Sequence, residues 1–144
     1  CPSNVKTTGK YVFYGCESLK EADFSEATAL EAIAEQAFYQ CTRLVVFKCS
    51  SSVKTIGSYT FGNCKRLKEV DLSEETALEK IGQEAFYECN SLETLSVPAN
   101  VTVVGGGVLK GCNALKSLQI ASQNPAIHIR LLAELSKDQK HLIE

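Results

Sequence analysis

The chain has 144 residues, 44% of them hydrophobic and 22% charged, with a formal net charge of -2 at pH 7. This composition is typical of one globular domain, and a charge so close to neutral argues against the basic stripe that binds nucleic acid. Because no apolar run approaches the roughly 18 residues that cross a bilayer, we expect no direct membrane insertion by this sequence.

The dominant feature of the sequence is an internal repeat. Residues 5–24, 30–49, 53–72, 78–97 and 101–120 align without a gap. Each unit has two aliphatic positions, then Gly, Phe, Cys, Leu and two further aliphatic positions at fixed spacing. The cysteines lie 25, 23, 25 and 23 residues apart, so the larger unit is a pair of repeats of 48 residues. Such short units bury their apolar side only by stacking on neighbours, which predicts a solenoid of five coils.

Equivalent residues of successive units are expected to form columns along the solenoid. The phenylalanine column is Phe13, Phe38, Phe61 and Phe86, closed by Leu109. We predict that these rings stack as a buried spine. The glycine column is Gly9, Gly57, Gly82 and Gly105, with Ala34 as the exception. Because Ala34 is tolerated there, the column predicts a tight bend or a close approach between coils, not a positive φ at every member.

The cysteine column is Cys16, Cys41, Cys64, Cys89 and Cys112. Parallel strands lie about 4.8 Å apart, which is within the range of Cα separations that a disulfide allows. Five equivalent members cannot all pair, however, and a buried ladder of reduced thiols occupies the same positions without strain. We therefore favour free thiols, with disulfides as the alternative.

The end of each unit alternates between polar and apolar residues, which predicts a short parallel strand with one outward face. The outward residues predicted to bind a partner are Lys20, Glu21, Asp23, Val45, Val46, Lys48, Lys68, Glu69, Asp71, Glu93, Thr94 and Ser96. Val45 and Val46 are apolar where other units place polar residues, so this pair is expected to be exposed. It marks either the centre of a protein contact or an ordinary exposed apolar pair without a function.

A different pattern begins after the fifth unit. Asn124 and Pro125 begin a segment with helical spacing of apolar residues, and Ser136 and Gln139 have the spacing of a capping box. The sequence therefore predicts a truncated N-terminal lead over 1–4, five repeats over 5–120 and a C-terminal helical cap over 121–144. The cap is expected to be one helix or a helix pair with a break near Ser136.

Catalytic and metal-binding motifs are weak. The cysteines are not spaced as zinc ligands, and the two histidines, His128 and His141, both fall in the predicted cap. The glycine run 105–107 lacks the residues of a phosphate-binding loop, and Glu74–Glu75 fall in a predicted solvent-facing loop. We therefore expect no enzyme activity, metal or cofactor. Asn100 begins the one glycosylation sequon, whose use stays open.

Residues 56–72 (IGSYTFGNCKRLKEVDL) and 81–98 (IGQEAFYECNSLETLSVP) resemble the BspA-like subfamily of leucine-rich repeats. The resemblance covers 5–120 and weakens in the fifth unit, where Leu109 replaces the expected Phe. It implies that the predicted solenoid with its parallel strand face is a leucine-rich-repeat solenoid, whereas residues 121–144, the predicted C-terminal helical cap, contain no motif of the family. It also implies a surface or secreted protein of host-associated bacteria or parasitic protists that adheres to host proteins or cells.

Two binding functions therefore compete, with the oligomeric state left open. The first is adhesion to a host extracellular-matrix or surface protein through the outward strand face, in a chain located at the cell surface or secreted. The second is a cytoplasmic scaffold that uses the same face, an alternative favoured by unpaired cysteines. An enzyme or thiol-redox protein ranks last, because the pattern contains no convergent polar pocket.

Overall fold

Short parallel strands recur along the whole repeat region of the computed structural model, which describes residues 4–72 and 77–143. In chain order they are β1 (Glu21–Asp23), β2 (Ala32–Ile33), β3 (Val46–Lys48), β4 (Thr55–Ile56), β5 (Glu69–Asp71), β6 (Lys80–Ile81), β7 (Thr94–Val97), β8 (Val103–Val104) and β9 (Ser117–Ile120). The odd-numbered strands form a five-stranded sheet and the even-numbered strands a four-stranded sheet. Each strand pairs with its equivalent one repeat later, as Glu21 pairs with Val46, so one repeat forms one coil. The predicted solenoid with a parallel strand face is confirmed.

The four-stranded sheet was not predicted from the sequence. Its strands have only two residues each, and an isolated bridge between Thr7 and Ala32 extends the pairing into the first coil. Two residues are too few to show the alternation that identifies a strand. Residues 1–3 of the predicted lead and the Glu74–Glu75 pair lie outside the described residues.

The phenylalanine spine runs through the interior as predicted. The ring centroids of Phe13 and Phe38 are 5.1 Å apart, those of Phe38 and Phe61 5.5 Å, and those of Phe61 and Phe86 5.6 Å, all in stacked geometry. Phe47 on β3 approaches Phe61 edge-on at 4.7 Å. Aromatic pairs of this kind contribute about 0.5–1.5 kcal/mol beyond their burial. The spine therefore couples each coil to the next.

The cysteine column lies beside this spine, and hydrogen bonds explain its place there. The Sγ of Cys41 donates to the carbonyl of Phe13 at 3.0 Å, and Cys64, Cys89 and Cys112 donate to the phenylalanine one coil earlier at 3.1, 3.1 and 3.2 Å. These four side chains are buried and unbridged, as predicted, whereas Cys16 in the first coil is only half-buried. A small thiol fills the space and also gives a buried carbonyl a donor.

Two further columns have left-handed backbone conformations that the sequence did not reveal. The first is Tyr11, Gln36, Tyr59, Glu84 and Gly107, and the second is Gly15, Gln40, Asn63, Glu88 and Gly111. In both columns the backbone N–H points along the solenoid axis. The N–H of Gln36 donates to the carbonyl of Ser58 at 3.0 Å, and that of Gln40 donates to Gly62 at 2.8 Å. A non-glycine residue in this conformation costs about 1–2 kcal/mol, and the hydrogen bond between coils offsets that cost.

The glycine column marks a close approach between coils, as predicted, and none of its members has a positive φ. A Cβ at Gly57 would lie 2.5 Å from the backbone nitrogen of Glu35, and one at Gly82 would lie 2.5 Å from that of Ser58. Real Cβ atoms do not come that close to backbone atoms. By contrast, a Cβ at Gly9 in the first coil would meet nothing within 4 Å.

The cap is a helix pair with its break at the expected place. Helix α1 (Pro125–Glu134) begins after Asn124, whose side chain accepts from the N–H of Ala126, and a 3-10 helix follows over Lys137–Ile143. Between them, the side-chain oxygen of Gln139 accepts from the N–H of Ser136 at 3.3 Å and from its hydroxyl at 3.1 Å. The prediction of a break near Ser136 is confirmed.

The cap closes the stack by supplying the partners that a sixth coil would supply. Ile127, Leu131 and Leu135 are buried against the last coil. The carboxylate of Glu134 accepts from the N–H of Gly107 at 2.8 Å, where the other members of that column use a carbonyl of the next coil. The amide of Gln139 donates to the carbonyl of Cys112 at 2.9 Å. Side chains of the cap thus provide hydrogen-bond partners for two backbone groups of the fifth coil.

Candidate binding surface

The outward face of the five-stranded sheet, which we call the strand face, lies where the alternation predicted it. Each strand has its central residue buried and its flanking residues turned outward. The predicted residues that are exposed are Lys20, Glu21, Asp23, Lys48, Lys68, Glu69, Asp71 and Thr94. The described part of the cap packs against β8 and β9 at the end of the stack. It therefore leaves the strand face open to a partner.

Ion pairs join charged side chains of neighbouring coils on part of this face. Lys48 on β3 lies 3.9 Å from the carboxylates of both Glu21 and Asp23 on β1, and Lys116 lies 3.8 Å from Glu93. Hydrogen bonds from the hydroxyl and backbone N–H of Ser25, with a smaller contribution from the Lys48 charge, lower the pKa of Asp23. Such exposed pairs add little to stability. They do fix the positions of these side chains, so positive and negative charges alternate between the neighbouring coils that they join.

The valine pair is less exposed than the sequence predicted. Val45 and Val46 are both half-buried, as are Glu93 and Ser96 on neighbouring coils. Val46 is paired in the sheet between Glu21 and Glu69. The expectation of an exposed apolar pair holds only in part, because neighbouring strands on both sides cover part of each side chain. The pair remains the apolar part of an otherwise polar face.

Tyrosines form a second continuous surface on the wall that carries the Phe and Cys positions. Its members are all five tyrosines of the chain, namely Tyr11, Tyr14, Tyr39, Tyr59 and Tyr87. Successive ring centroids along this series are 6.1, 5.5, 6.3 and 6.4 Å apart, and the Lys110 ammonium lies 5.7 Å from the last ring. Tyr11 and Tyr59 lie in a left-handed column, two positions before the Phe, whereas Tyr14, Tyr39 and Tyr87 directly follow it, so the series has no single position in the repeat. The wall is partly exposed and forms an edge of the core.

The described residues contain no cluster of three or more His, Cys, Asp or Glu side chains that could hold a metal ion. Burial raises the pKa of Cys41 to about 11 and that of Cys112 to about 12, which disfavours the reactive thiolate. His128 instead contacts the carbonyl of Ser122 through Nε2 at 3.0 Å. Neither helix in this part of the chain has the length and apolar character that a membrane span requires.

Solved structures with the same architecture come from several bacteria. The chain superposes on a leucine-rich repeat protein of T. pallidum with a TM-score of 0.74 at 27% identity over 81% of its length, and on one from Bacteroides ovatus with 0.72 at 32% over 80%. The pneumococcal vaccine antigen PcpA gives 0.68 at 26% over 83%. The chain spans 55% of the first of these proteins and 29% of each of the other two. Among curated proteins, none matches this sequence.

A family model agrees with the structural likeness. The model described as BspA type leucine rich repeat region matches residues 6–136 in six copies, which covers the five coils and reaches the first helix of the cap. The expected fold, a leucine-rich-repeat solenoid with a parallel strand face and a C-terminal cap, is thereby confirmed together with the resemblance. The chain belongs to the BspA type leucine-rich repeat family.

Proposed function

We propose that this chain is a non-catalytic protein-binding module and that its partner contacts the strand face. The observation that supports this proposal is the geometry of that face: five parallel strands in register, with outward side chains that the cap does not cover. A rigid surface of this kind binds without ordering mobile loops, so little conformational entropy is lost on association. The residues proposed for contact are the twelve predicted from the sequence.

Val45 and Val46 are proposed as the centre of the contact. Charged side chains surround them, and charges at the rim of an interface orient the partner, whereas apolar groups at its centre gain free energy on burial. Because both valines are already half-buried, only part of the transfer free energy of each remains to be gained, about 0.7–1 kcal/mol per side chain. The pair thus contributes a measurable share of affinity without making the face prone to aggregation.

We propose a host extracellular-matrix or surface protein as the partner and a location at the cell surface or outside the cell. The support is that the chain belongs to the BspA type family and that its structure is similar to that of a pneumococcal vaccine antigen. Unpaired cysteines favour the alternative of a cytoplasmic scaffold, but their burial weakens that argument. A buried thiol with a raised pKa resists oxidation in either compartment.

Binding to immobilised matrix proteins tests the function and the face together. Wild-type protein should bind at least one protein of a defined matrix panel in surface plasmon resonance. Val45→Ser with Val46→Ser should weaken that binding about 10- to 30-fold, the value expected from the loss of 1.4–2 kcal/mol. Val103→Ser is the matched control, since Val103 is 49% exposed on β8 in the other sheet. Thermal unfolding checks that both variants remain folded.

Two results would contradict this proposal. If the double variant bound a matrix protein as tightly as the wild type, the contact would lie elsewhere on the solenoid. If no matrix protein bound and antibodies labelled the protein only in permeabilised cells of its source, the scaffold alternative would replace adhesion.

A further inference from the structure

A cluster of four cations lies at the corner where coils two and three turn from the cysteine column toward the strand face. Its members are Arg43 in the second coil and Lys65, Arg66 and Lys68 in the third. All four side chains are exposed. We call this group the basic corner. The cluster is not apparent from the sequence, because Lys65 lies 22 positions after Arg43 and the formal net charge of the chain is -2.

The strand register sets the distances within the basic corner. Val46 pairs with Glu69, so Arg43 and Arg66 occupy the same position of adjacent coils. Equivalent positions of neighbouring strands lie about 4.8 Å apart, and like charges placed opposite each other are destabilising. Two arginines stacked in register therefore repel each other in the isolated protein, and an anion bound between them would relieve that repulsion.

Within residues 4–72 and 77–143, the corner has no ion pair with a carboxylate. Among the described residues, none of the four cations forms an ion pair, whereas Lys48 and Lys116 on the strand face both do. Glu93, which follows Lys68 in its column, is paired with Lys116. Elsewhere on the solenoid the pattern is different: Lys54 lies in a column between Glu31 and Glu79, bonded to both through backbone hydrogen bonds.

We propose that the basic corner binds a sulfated polysaccharide. Arginine donates two parallel hydrogen bonds to an oxyanion, so Arg43 and Arg66 would each bind a sulfate group of the chain. Lys65 and Lys68 would act as flanking positive charges. The residues next to Lys65 and Arg66 in their columns, Thr42, Asn90 and Ser91, are polar and suit hydroxyl-rich sugar rings, and Glu17 lies two coils before Lys65 in the same column. A protein partner would require an apolar centre, and single-stranded nucleic acid an aromatic platform. The residues beside Arg43, Lys65 and Arg66 in their columns supply neither, whereas Lys68 follows Val45 of the strand face in its column.

Heparin is the probe for this proposal, measured by titration calorimetry at physiological salt. The wild type should bind, and Arg43→Ser with Arg66→Ser should weaken binding on the order of tenfold or more, since both arginines would donate charge-assisted bonds. Lys54→Ser with Lys80→Ser is the matched control, because it removes the same charge from the smaller sheet. It should leave binding nearly unchanged. Val45→Ser with Val46→Ser should also bind heparin normally, which separates the arginine pair from the valine pair, although Lys68 belongs both to the basic corner and to the strand face.

Specific outcomes would overturn the proposal. Equal losses in the arginine and lysine variants would show attraction to net charge and not to this corner. Equal affinity for desulfated heparin would exclude sulfate recognition, and equal affinity for double-stranded DNA would show a general polyanion surface. Absence of heparin binding by the folded wild type would also refute it.

Discussion

The two ends of the solenoid place equivalent residues in different surroundings. Val12 in the first coil is 48% exposed, whereas its equivalent in the fifth coil, Val108, is 1% exposed. In the same way, Cys16 is half-buried and Cys112 is 2% exposed. The fifth coil is covered by the cap, and the first coil has a described neighbour on one side only. Burial in a repeat protein therefore depends on the neighbouring coil more than on the repeat's own sequence.

Thiol labelling should show the largest difference between the edge and the interior. Cys16 should react with a maleimide at least about a thousandfold faster than Cys64, because exposing Cys64 requires unfolding that costs roughly 5 kcal/mol or more. Burial also raises the pKa of Cys64, which further lowers its reactivity. Peptide mass mapping measures both rates in one sample. In denaturant the two rates should converge, and similar rates in the native protein would contradict the buried column.

Removing a phenylalanine ring should lower the free energy of unfolding more in the third coil than in the first. Phe61→Ala should lower the free energy of unfolding by about 3–5 kcal/mol, because Phe61 is fully buried and packs against three other rings. Phe13→Ala should cost about half as much or less, since Phe13 is only half-buried. Urea denaturation compares the two variants, and each controls for the chemistry of the other. Equal losses of free energy in the two variants would mean that a ring's contribution does not depend on its neighbours in the spine.

The closed end can be tested through Glu134, with a smaller expected effect. Glu134→Ala leaves the N–H of Gly107 without its acceptor and should lower the free energy of unfolding by about 1 kcal/mol. Glu134→Gln retains an acceptor oxygen and should cost less. Chemical denaturation measures both. If both variants lost the same free energy of unfolding, the charge of the carboxylate would matter. The interpretation that Glu134 takes the place of a carbonyl of the next coil would then be wrong.

Features with a repeated side-chain signature were predictable from the sequence. Phe and Cys recur at fixed spacing, so the spine and the thiol ladder followed from the alignment, and Ser136 with Gln139 identified the break in the cap. The position of the strand face likewise followed from alternation. Whether that face binds a protein stays a prediction.

Other features depend on register or on backbone conformation and have no such signature. Gln40 and Glu88 share a left-handed conformation with Gly15, Asn63 and Gly111; glycine and asparagine favour it, but nothing in the side chains of Gln40 and Glu88 indicates it. The half-burial of Val45 and Val46 depends on neighbouring strands and not on their own identity. Arg43 and Arg66 become neighbours only when a coil of 23 residues returns the chain to the same place.

The hydrogen bonds between coils also have a consequence for folding kinetics. The side-chain bonds that join the coils to each other and to the cap span sequence separations of 21 to 28 residues, because they link nearest neighbours. A loop of this length closes at moderate entropic cost, and each added coil meets the same cost again. Folding can therefore begin at any interface between coils and spread one coil at a time. Coils with a neighbour on both sides should then open last in the native state.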